Sequence, residues 1–260
     1  MLFGILKKIK ILGVKNCIFL VIKKIIPSHI KNLNEIYEYL IGKYGLEIGG
    51  PSWAFTKYGY IPIYKKINTL DGVNFSSSTI WTGDIQSEHG YVVNKKRVGK
   101  LYIADTVDLS IIPNDTYDFI LSSNNIEHLA NPLKAVEQWL LKLKLGGVLI
   151  IVAPKKEKNF DRNRSVVKFE HILDDYNKKI DEHDLTHLDE ILSLHDLSMD
   201  PLAGSFDEFK ERSLKNHENR CLHHHVFDLI VLEEIGNYFG LEVLHKEEKK
   251  DDYIIVVQKK

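Results

Sequence analysis

The chain has 260 residues, of which 44% are hydrophobic, so it can bury a full core and is not a disordered protein. Its formal net charge of −1 gives no overall signal for a nucleic-acid partner, and none is expected. The only cysteines, Cys17 and Cys221, exclude a disulfide framework and a cysteine-based zinc site. We therefore expect a globular protein of the reducing cytoplasm.

The first 31 residues are rich in lysine and apolar side chains and contain no acidic residue. Their longest uncharged run, residues 16–22, is too short to cross a bilayer. One interpretation is a helix packed on the domain, with lysine side chains that reach water. The other is a basic amphipathic helix in peripheral contact with the anionic inner face of a membrane.

Pro27 ends this region, and a second helix is predicted over residues 32–41. A buried strand over residues 45–48 then runs into the turn that Gly49 and Gly50 form. A turn without Cβ atoms lets the backbone approach a ligand closely, and the neighbouring Glu47 carboxylate can accept hydrogen bonds from one. An ordinary strand-to-helix turn has the same glycines.

Strands and helices alternate along the next hundred residues. A second strand is predicted to end at residues 70–71, and residues 74–81 are predicted to form an ordered loop. A helix begins at Pro132, where the missing N–H costs nothing, and ends before Gly146. The later predicted strands cover residues 101–104, 117–122, 148–152, 241–245 and 253–258, with a helix over residues 228–239.

This alternation predicts a mostly parallel sheet with helices on both faces, of the Rossmann-like doubly wound α/β class. In such sheets, ligands bind beyond the carboxyl ends of the strands. Residues 155–220 interrupt the pattern with charged helical sequence, which we interpret as a lid inserted after the fifth strand. The predicted organisation is a basic helical segment over residues 1–42, a cofactor-binding core over 43–154, the lid over 155–220 and completion of the sheet over 221–260.

Three motifs together resemble the class I S-adenosylmethionine-dependent methyltransferases, and most closely bacterial enzymes of small-molecule and glycan pathways. They are Gly-Leu-Glu-Ile-Gly-Gly-Pro-Ser over residues 45–52, Asp-Thr-Tyr-Asp-Phe-Ile-Leu-Ser-Ser-Asn-Asn-Ile-Glu-His-Leu over 115–129, and Leu-Gly-Gly-Val-Leu-Ile-Ile-Val-Ala-Pro over 145–154. The resemblance covers residues 45–155 and, more loosely, 220–258. Pro51 and Ser52 depart from the usual first motif, which carries three glycines. The resemblance implies a seven-stranded sheet.

The resemblance implies S-adenosyl-L-methionine as the cofactor. Asp71 would accept hydrogen bonds from both ribose hydroxyls, Asp105 with Thr106 would meet the adenine edge, and the loop after the fourth strand would meet the methionine moiety. For Asp71 and Asp105, an ordinary turn or helix-cap role is the alternative. The implied cofactor-binding residues are Glu47, Gly49, Gly50, Pro51, Asp71, Gly72, Asp105, Thr106, Asn124 and Asn125.

Histidines provide the candidates for a general base, because an oxygen acceptor reacts best when it loses its proton. His225 leads, since it resembles the single histidine often found before the corresponding helix in these enzymes. His128, of the Glu-His pair after the fourth strand, and His223 are the other candidates. For each of them, a packing or capping role is the alternative.

A second histidine-rich tract, which is also acidic, covers residues 182–200. His183 and His187 have the spacing of one helical face, as do His187 and His195, and such pairs can bind a divalent metal. The tract lacks the rest of a zinc-protease pattern. A solvated charged face is the favoured interpretation, and no metal ligand is predicted.

The predicted function is methylation of a small polar acceptor at oxygen, with a histidine general base. The preferred acceptors are a sugar, a sugar nucleotide or a surface-glycan precursor. The alternatives are a nitrogen or phosphate-type acceptor, or a non-catalytic nucleotide-binding protein of the same fold. Polar lid residues would grip the acceptor or pair with the acidic tract instead: Arg212, Asn216, Asn219 and Arg220.

Overall fold

The computed structural model describes residues 28–67, 69–79, 83–84 and 90–260. The predicted basic amphipathic segment, up to residue 27, lies outside the described residues. Within the described part of the chain, no helix combines the length and the apolar character that crossing a membrane requires.

The main sheet has seven strands, and two short hairpins lie beside it. In chain order the strands are β1 Gly45–Ile48, β2 Leu70–Asn74, β3 Ser78–Thr79, β4 Gly83–Asp84, β5 Tyr91–Val93, β6 Lys96–Gly99, β7 Leu101–Ile103, β8 Tyr117–Ser123, β9 Leu143–Pro154, β10 Glu242–Glu248 and β11 Asp252–Gln258. The order in the sheet is β10-β11-β9-β8-β1-β2-β7. Only β11 runs antiparallel to its neighbours β9 and β10.

This order confirms the predicted mostly parallel seven-stranded sheet. From β1 the chain builds outward through β2 to β7, and then returns to add β8 and β9 on the other side of β1. The order therefore reverses between β1 and β8. In parallel sheets, the crevice at such a reversal is where ligands bind.

The described helices are α1 Leu33–Glu38, α2 Pro132–Lys142, α3 Phe169–Lys178, α4 Leu188–Leu194, α5 Phe206–Leu214, α6 Asn216–Asn219 and α7 Leu229–Tyr238. Local caps fix where they begin. The Asn131 side chain accepts from the Lys134 N–H at 3.0 Å at the start of α2, and Asp228 accepts from the Val231 N–H at 2.9 Å at the start of α7. These bonds satisfy N–H groups that have no partner within the helix.

The central strands bury both faces. In β9, Val148, Ile150 and Val152 belong to one core, and the alternate residues Leu149 and Ile151 belong to the other. The first core includes residues of α1 and β5, and the second is built against α2 and α7. Burial on both sides explains why these strands are apolar throughout instead of alternating.

The predicted insertion after the fifth strand of the main sheet is present as helices α3 to α6, between β9 and α7. It has a small core of its own, formed by Ile191, Ala203, Phe209 and Leu222. Its outer limits, like the other predicted domain boundaries, stay predictions.

The prediction that the second strand ends at residues 70–71 is wrong, because β2 continues to Asn74. The sequence Asp71-Gly72 has the composition of a turn, but Gly72 lies inside the strand, where the Tyr91 ring packs against it. A Cβ on Gly72 would lie 2.3 Å from the Tyr91 ring. The residues predicted as a loop contain the short strand β3, and the β5–β6 hairpin was not predicted.

The predicted helical face through His183, His187 and His195 is also wrong. Helix α4 covers only Leu188–Leu194, so His187 and His195 are its caps and His183 lies in the preceding turn. The helix was predicted too long because leucines continue at helical spacing before residue 188, where the helix begins.

Asp71 is a buried structural carboxylate, which leads to a stability prediction. It accepts from the Tyr44 hydroxyl at 2.5 Å, the Tyr117 hydroxyl at 2.8 Å and the Lys100 N–H at 2.7 Å. Asp71→Ala leaves these donors without an acceptor and should lower the free energy of unfolding by about 3 kcal/mol in urea titrations. Asp174→Ala, at an exposed helix pair with Lys178, should stay within about 0.5 kcal/mol. Equal unfolding midpoints for both variants would contradict this assignment.

Candidate active site

A cavity of about 750 Å³ lies at the carboxyl ends of β1, β2, β7 and β8, where the strand order reverses. One wall comes from the loops after these strands. The opposite wall comes from the insertion, through residues that include Lys158, Phe160, Arg212 and Arg220. The insertion therefore contributes to the lining of the cavity at the strand ends.

Most of the predicted site residues lie at this cavity, and several do not. Those that line it are Gly49, Pro51, Asp105, Thr106, Asn124, Asn125, His128 and His223. The predicted residues outside the lining are Glu47, Gly50, Asp71, Gly72 and His225.

Glu47 lies beneath the glycine turn and is fully buried. One carboxylate oxygen accepts from the Tyr64 hydroxyl at 2.7 Å and the Ser52 N–H at 2.9 Å, and the other accepts from the Tyr91 hydroxyl at 2.7 Å. Burial raises the pKa of Glu47, and these hydrogen bonds oppose the shift. The expected contact between Glu47 and a ligand is therefore corrected to a role in fixing the turn.

The two glycines of the turn have different tasks. Gly49 has a φ of +71° and lines the cavity, and its N–H donates to the Val73 carbonyl at 2.8 Å. A Cβ on Gly50 would lie 2.2 Å from the Tyr91 hydroxyl and 2.3 Å from the Glu47 carboxylate. Gly50 thus makes room for the buried carboxylate, and Gly49 is the glycine that leaves backbone open to a ligand.

The expectation that Asp71 contacts a ligand at the end of β2 is wrong, because Asp71 pairs with Leu46 at the far end of the strand from the cavity. Its neighbour Gly72 is covered by Tyr91. Asn74 and Phe75 stand at the carboxyl end of β2 and line the cavity instead. Sequence reasoning missed Asn74 because it placed the end of the strand three residues too early.

Asp105 joins the core to the insertion. Its carboxylate accepts from Arg220 at 2.6 Å, and the same guanidinium contacts Glu182 at 2.9 Å. Thr106 accepts from the buried indole N–H of Trp139 at 2.5 Å. Arg220 is thereby held against the cavity, 5.7 Å from the ring centre of Phe75.

Of the other polar residues predicted for the lid, one lines the cavity and two pair inside the insertion. Arg212 lines the cavity and donates to Asp200 at 2.9 Å. Asn216 is buried against Glu182 and His224, and Asn219 donates to the Arg212 carbonyl at 2.7 Å. Of the two alternatives, pairing with the acidic tract describes Asn216, and both asparagines hold the insertion together instead of facing an acceptor.

His128 and His223 form the polar end of the cavity together with Glu127. The two rings meet edge to face, with their centres 4.5 Å apart. His128 faces the Leu222 carbonyl through Nδ1 at 3.1 Å, and burial holds its pKa well below the usual range. His223 pairs through Nδ1 with the buried Asp161. Burial opposes a charge on both partners, but their attraction prevails, so the pKa of His223 is raised and that of Asp161 falls to about 2.

His225, the leading predicted base, does not line the cavity. It is buried against Asp175, with Nε2 3.0 Å from Oδ2, and lies near the rings of His171 and His187. An extended chain advances about 3.3 Å per residue, so two residues beyond His223 the chain has already left the cavity. The expectation that His225 faces the acceptor is wrong for this reason.

Glu127 was quoted in a motif but was given no role. Within the described part of the chain, neither of its buried carboxylate oxygens has a hydrogen-bond partner, and the residue lines the cavity. Burial raises its pKa to about 7, against the opposing effect of His223. A buried polar group without a partner costs about 1–3 kcal/mol, so this carboxyl is a candidate ligand contact.

No protein-family model matches this chain, and no curated protein matches its sequence. Solved structures similar to it include three described as S-adenosylmethionine-dependent methyltransferases. A putative one from Listeria monocytogenes is 13% identical, with 87% of this chain and 97% of that chain covered and a TM-score of 0.47. One from Mesorhizobium loti is 11% identical, with 87% and 95% covered and a TM-score of 0.48. One from Methanosarcina mazei is 14% identical, with 86% and 96% covered and a TM-score of 0.48.

These values describe a distant likeness of fold. The fold assignment rests on this chain's own strand order and register.

The cavity makes a prediction about Cys221, a buried thiol in its lining. Burial raises the pKa of Cys221 to about 11, so only a small fraction of it is thiolate at pH 8.5. In a Cys17→Ser variant, alkylation of the folded chain should become faster up to at least about pH 10.5. The urea-unfolded chain should level off near pH 9.5, as an ordinary thiol does. A plateau at the same pH in both states would contradict a buried thiol.

Proposed function

We propose that this chain is an S-adenosylmethionine-dependent methyltransferase that methylates a hydroxyl group of a small polar acceptor. The observation that carries the proposal is one continuous cavity at the reversal of strand order. It begins at the glycine turn after β1 and ends at Glu127, His128 and His223. Its volume of about 750 Å³ is in the range of cofactor and small-ligand sites.

In the proposed complex, the cofactor lies along the strand ends. The turn at Gly49 meets the methionine moiety from one side, and Asn124 and Asn125 meet it from the other. Asn74, at the end of β2, takes the ribose role first given to Asp71, because its amide oxygen can accept from a hydroxyl. Asp105 and Thr106, after β7, flank the adenine.

A hydroxyl acceptor is favoured over a phosphate by the charges around the cavity. Arg212 and Arg220 are the arginines in its lining, and both are already paired with carboxylates, of Asp200 and Asp105 respectively. Their charge is thus largely balanced, and of the two lysines in the lining, Lys155 and Lys158, the first is paired with Glu248. A sugar, rich in hydroxyls, suits a wall of paired charges and amides, and Lys158 could meet the phosphates of a sugar nucleotide, so a role in a glycan pathway is part of the proposal.

His223 is proposed as the general base. In the neutral ring, the Asp161 carboxylate would hold the proton on Nδ1, which leaves Nε2 as the nitrogen that can accept one; because the pKa of His223 is raised, this neutral form gains population as the pH rises. The acceptor oxygen would attack the methyl carbon as the sulfur–carbon bond breaks, and its proton would pass to Nε2. The products are the methyl ether and S-adenosylhomocysteine. His128 is the second candidate, because it lines the same end of the cavity.

The cofactor assignment predicts binding. Calorimetry should detect S-adenosylmethionine or S-adenosylhomocysteine at micromolar affinity or better, roughly −8 kcal/mol. Asn74→Ala should weaken binding about 3- to 10-fold, the value of one neutral hydrogen bond. The matched control is Asn163→Ala, in the insertion, whose side chain donates to the Leu194 carbonyl; it should keep the wild-type affinity. A folded wild-type chain that binds neither compound would sink the proposed function.

The base assignment predicts a loss of turnover without a loss of cofactor. His223→Gln should lower kcat by about 100-fold or more, and Asp161→Asn should lower it in the same direction, because the ring is then no longer held. Turnover would be followed as S-adenosylhomocysteine release with a panel of sugars and sugar nucleotides. His128→Gln tests the second candidate, and the half-exposed His217→Gln, outside the cavity, is the control. If His223→Gln and His128→Gln both keep the wild-type kcat, neither histidine is the general base.

A further inference from the structure

A second histidine cluster lies in the insertion, next to the cavity but outside its lining. It consists of His171, Asp175, His187 and His225, and one ligand atom from each lies within 4.8 Å of all the others. The four residues come from three separate segments: helix α3, the cap before α4, and the extended chain that leads to α7. We call this set the His3Asp cluster.

We propose that the His3Asp cluster binds one zinc ion. Three imidazoles and one carboxylate, with no sulfur, are a ligand set that zinc accepts in tetrahedral geometry.

Three of the six separations between the ligand atoms are close to the value expected for tetrahedral zinc, and all six lie within 4.8 Å. Zinc–ligand bonds of about 2.0–2.1 Å in a tetrahedron put the ligand atoms about 3.3 Å apart. The Nε2 atoms of His171 and His187 are 3.0 Å apart. Asp175 Oδ2 lies 3.4 Å from His171 Nε2 and 3.0 Å from His225 Nε2. Small rotations of these side chains would complete the tetrahedron.

The hydrogen bonding of His225 also favours a cation. Its Nδ1 faces the Leu129 carbonyl at 3.3 Å, and its Nε2 faces the Asp175 carboxylate at 3.0 Å. Both partners are acceptors, and a neutral imidazole has only one N–H to donate. A metal on Nε2 resolves the conflict, because Nδ1–H then donates to Leu129. A second nitrogen bonded to a backbone carbonyl is the usual arrangement of a zinc-bound histidine.

The helix geometry and the exposure are consistent with a metal. Asp175 lies in the last turn of α3, where the helix dipole disfavours a carboxylate, and a cation would offset this. The side chains of His171 and His187 are 40% and 20% exposed, so an ion can reach the cluster from solvent.

A bound ion would tie the insertion to the core. His225 is two residues beyond His223, and its ring is anchored to Leu129, beside the Glu127–His128 turn. Clamping His225 to α3 and to the start of α4 would fix the position of the segment that carries His223. The role of the zinc is therefore structural, and the reaction does not pass through it.

The experiment uses the full chain without a polyhistidine tag, stripped with a chelator and then titrated with zinc alone. Metal content after dialysis and competition with a chromophoric chelator give stoichiometry and affinity. We expect one zinc per chain and a rise in Tm of about 5–10 °C at saturation. His187→Gln and Asp175→Asn should each weaken zinc binding at least 10-fold. The matched control is His183→Gln, whose side chain is 73% exposed and outside the cluster; it should bind zinc as the wild type does.

The proposal is overturned if the folded wild-type chain retains no zinc at micromolar free metal. It is also overturned if both cluster variants bind as tightly as the wild type, or if binding is lost in His128→Gln alone, which would put the ion at the Glu127–His128–His223 group. His187→Gln is the decisive variant, because its partly exposed side chain can be changed without burying a new polar group. None of these zinc-binding measurements requires methyl transfer, so their outcome is independent of the proposed function.

Discussion

The site depends on a buried carboxylate beneath the first turn of the sheet. Glu47 ends up fully buried, and its two oxygens collect hydrogen bonds from Tyr64, Tyr91 and the Ser52 N–H. Ser52 and Tyr64 belong to the loop after β1 and Tyr91 belongs to β5, so the carboxylate joins β1, this loop and the β5 hairpin. Leaving such a buried group without partners would cost about 1–3 kcal/mol for each one lost. These hydrogen bonds hold the turn at Gly49 in place, and Gly49 lines the cavity.

The need to give buried hydroxyl groups an acceptor also explains why the acidic residues of the sheet do not all face the ligand site. Asp71 and Glu47 are both used to satisfy tyrosine hydroxyls inside the protein. Asp105, Glu127 and Asp252 do line the cavity, and Asp105 is joined there to Arg220 of the insertion. Glu47, Asp71 and Asp105 therefore act as acceptors for phenols and guanidinium groups, and the ligand is left to amides, backbone and the Glu127 carboxyl at the strand ends.

The fold could be predicted from the sequence because its signals are local. Apolar runs such as residues 148–152 mark central strands, and Pro132 and Asp228 mark where helices begin. The end of β2 was misjudged because Asp71-Gly72 has the composition of a turn, while the reason for the glycine, the Tyr91 ring, lies far along the chain.

The site was predicted less well because its contacts are long-range. Asp105 and Arg220 are 115 positions apart, and His223 and Asp161 are 62 apart. No periodicity shows that His223 faces the cavity while His225, two residues on, belongs to another cluster. Three adjacent histidines in the sequence did indicate that residues 223–225 are functional. Which of them faces the cavity depends on how the insertion packs.

The central claim is that the cofactor lies along the strand ends, in the cavity that the insertion covers. A crystal structure of the chain with S-adenosylhomocysteine tests it most directly. The account predicts the sulfur beside Asn125 and the His128–His223 end, the ribose within hydrogen-bond distance of Asn74, and the adenine beside Asp105. A ribose held by Asp71, or a product bound outside this cavity, would contradict it.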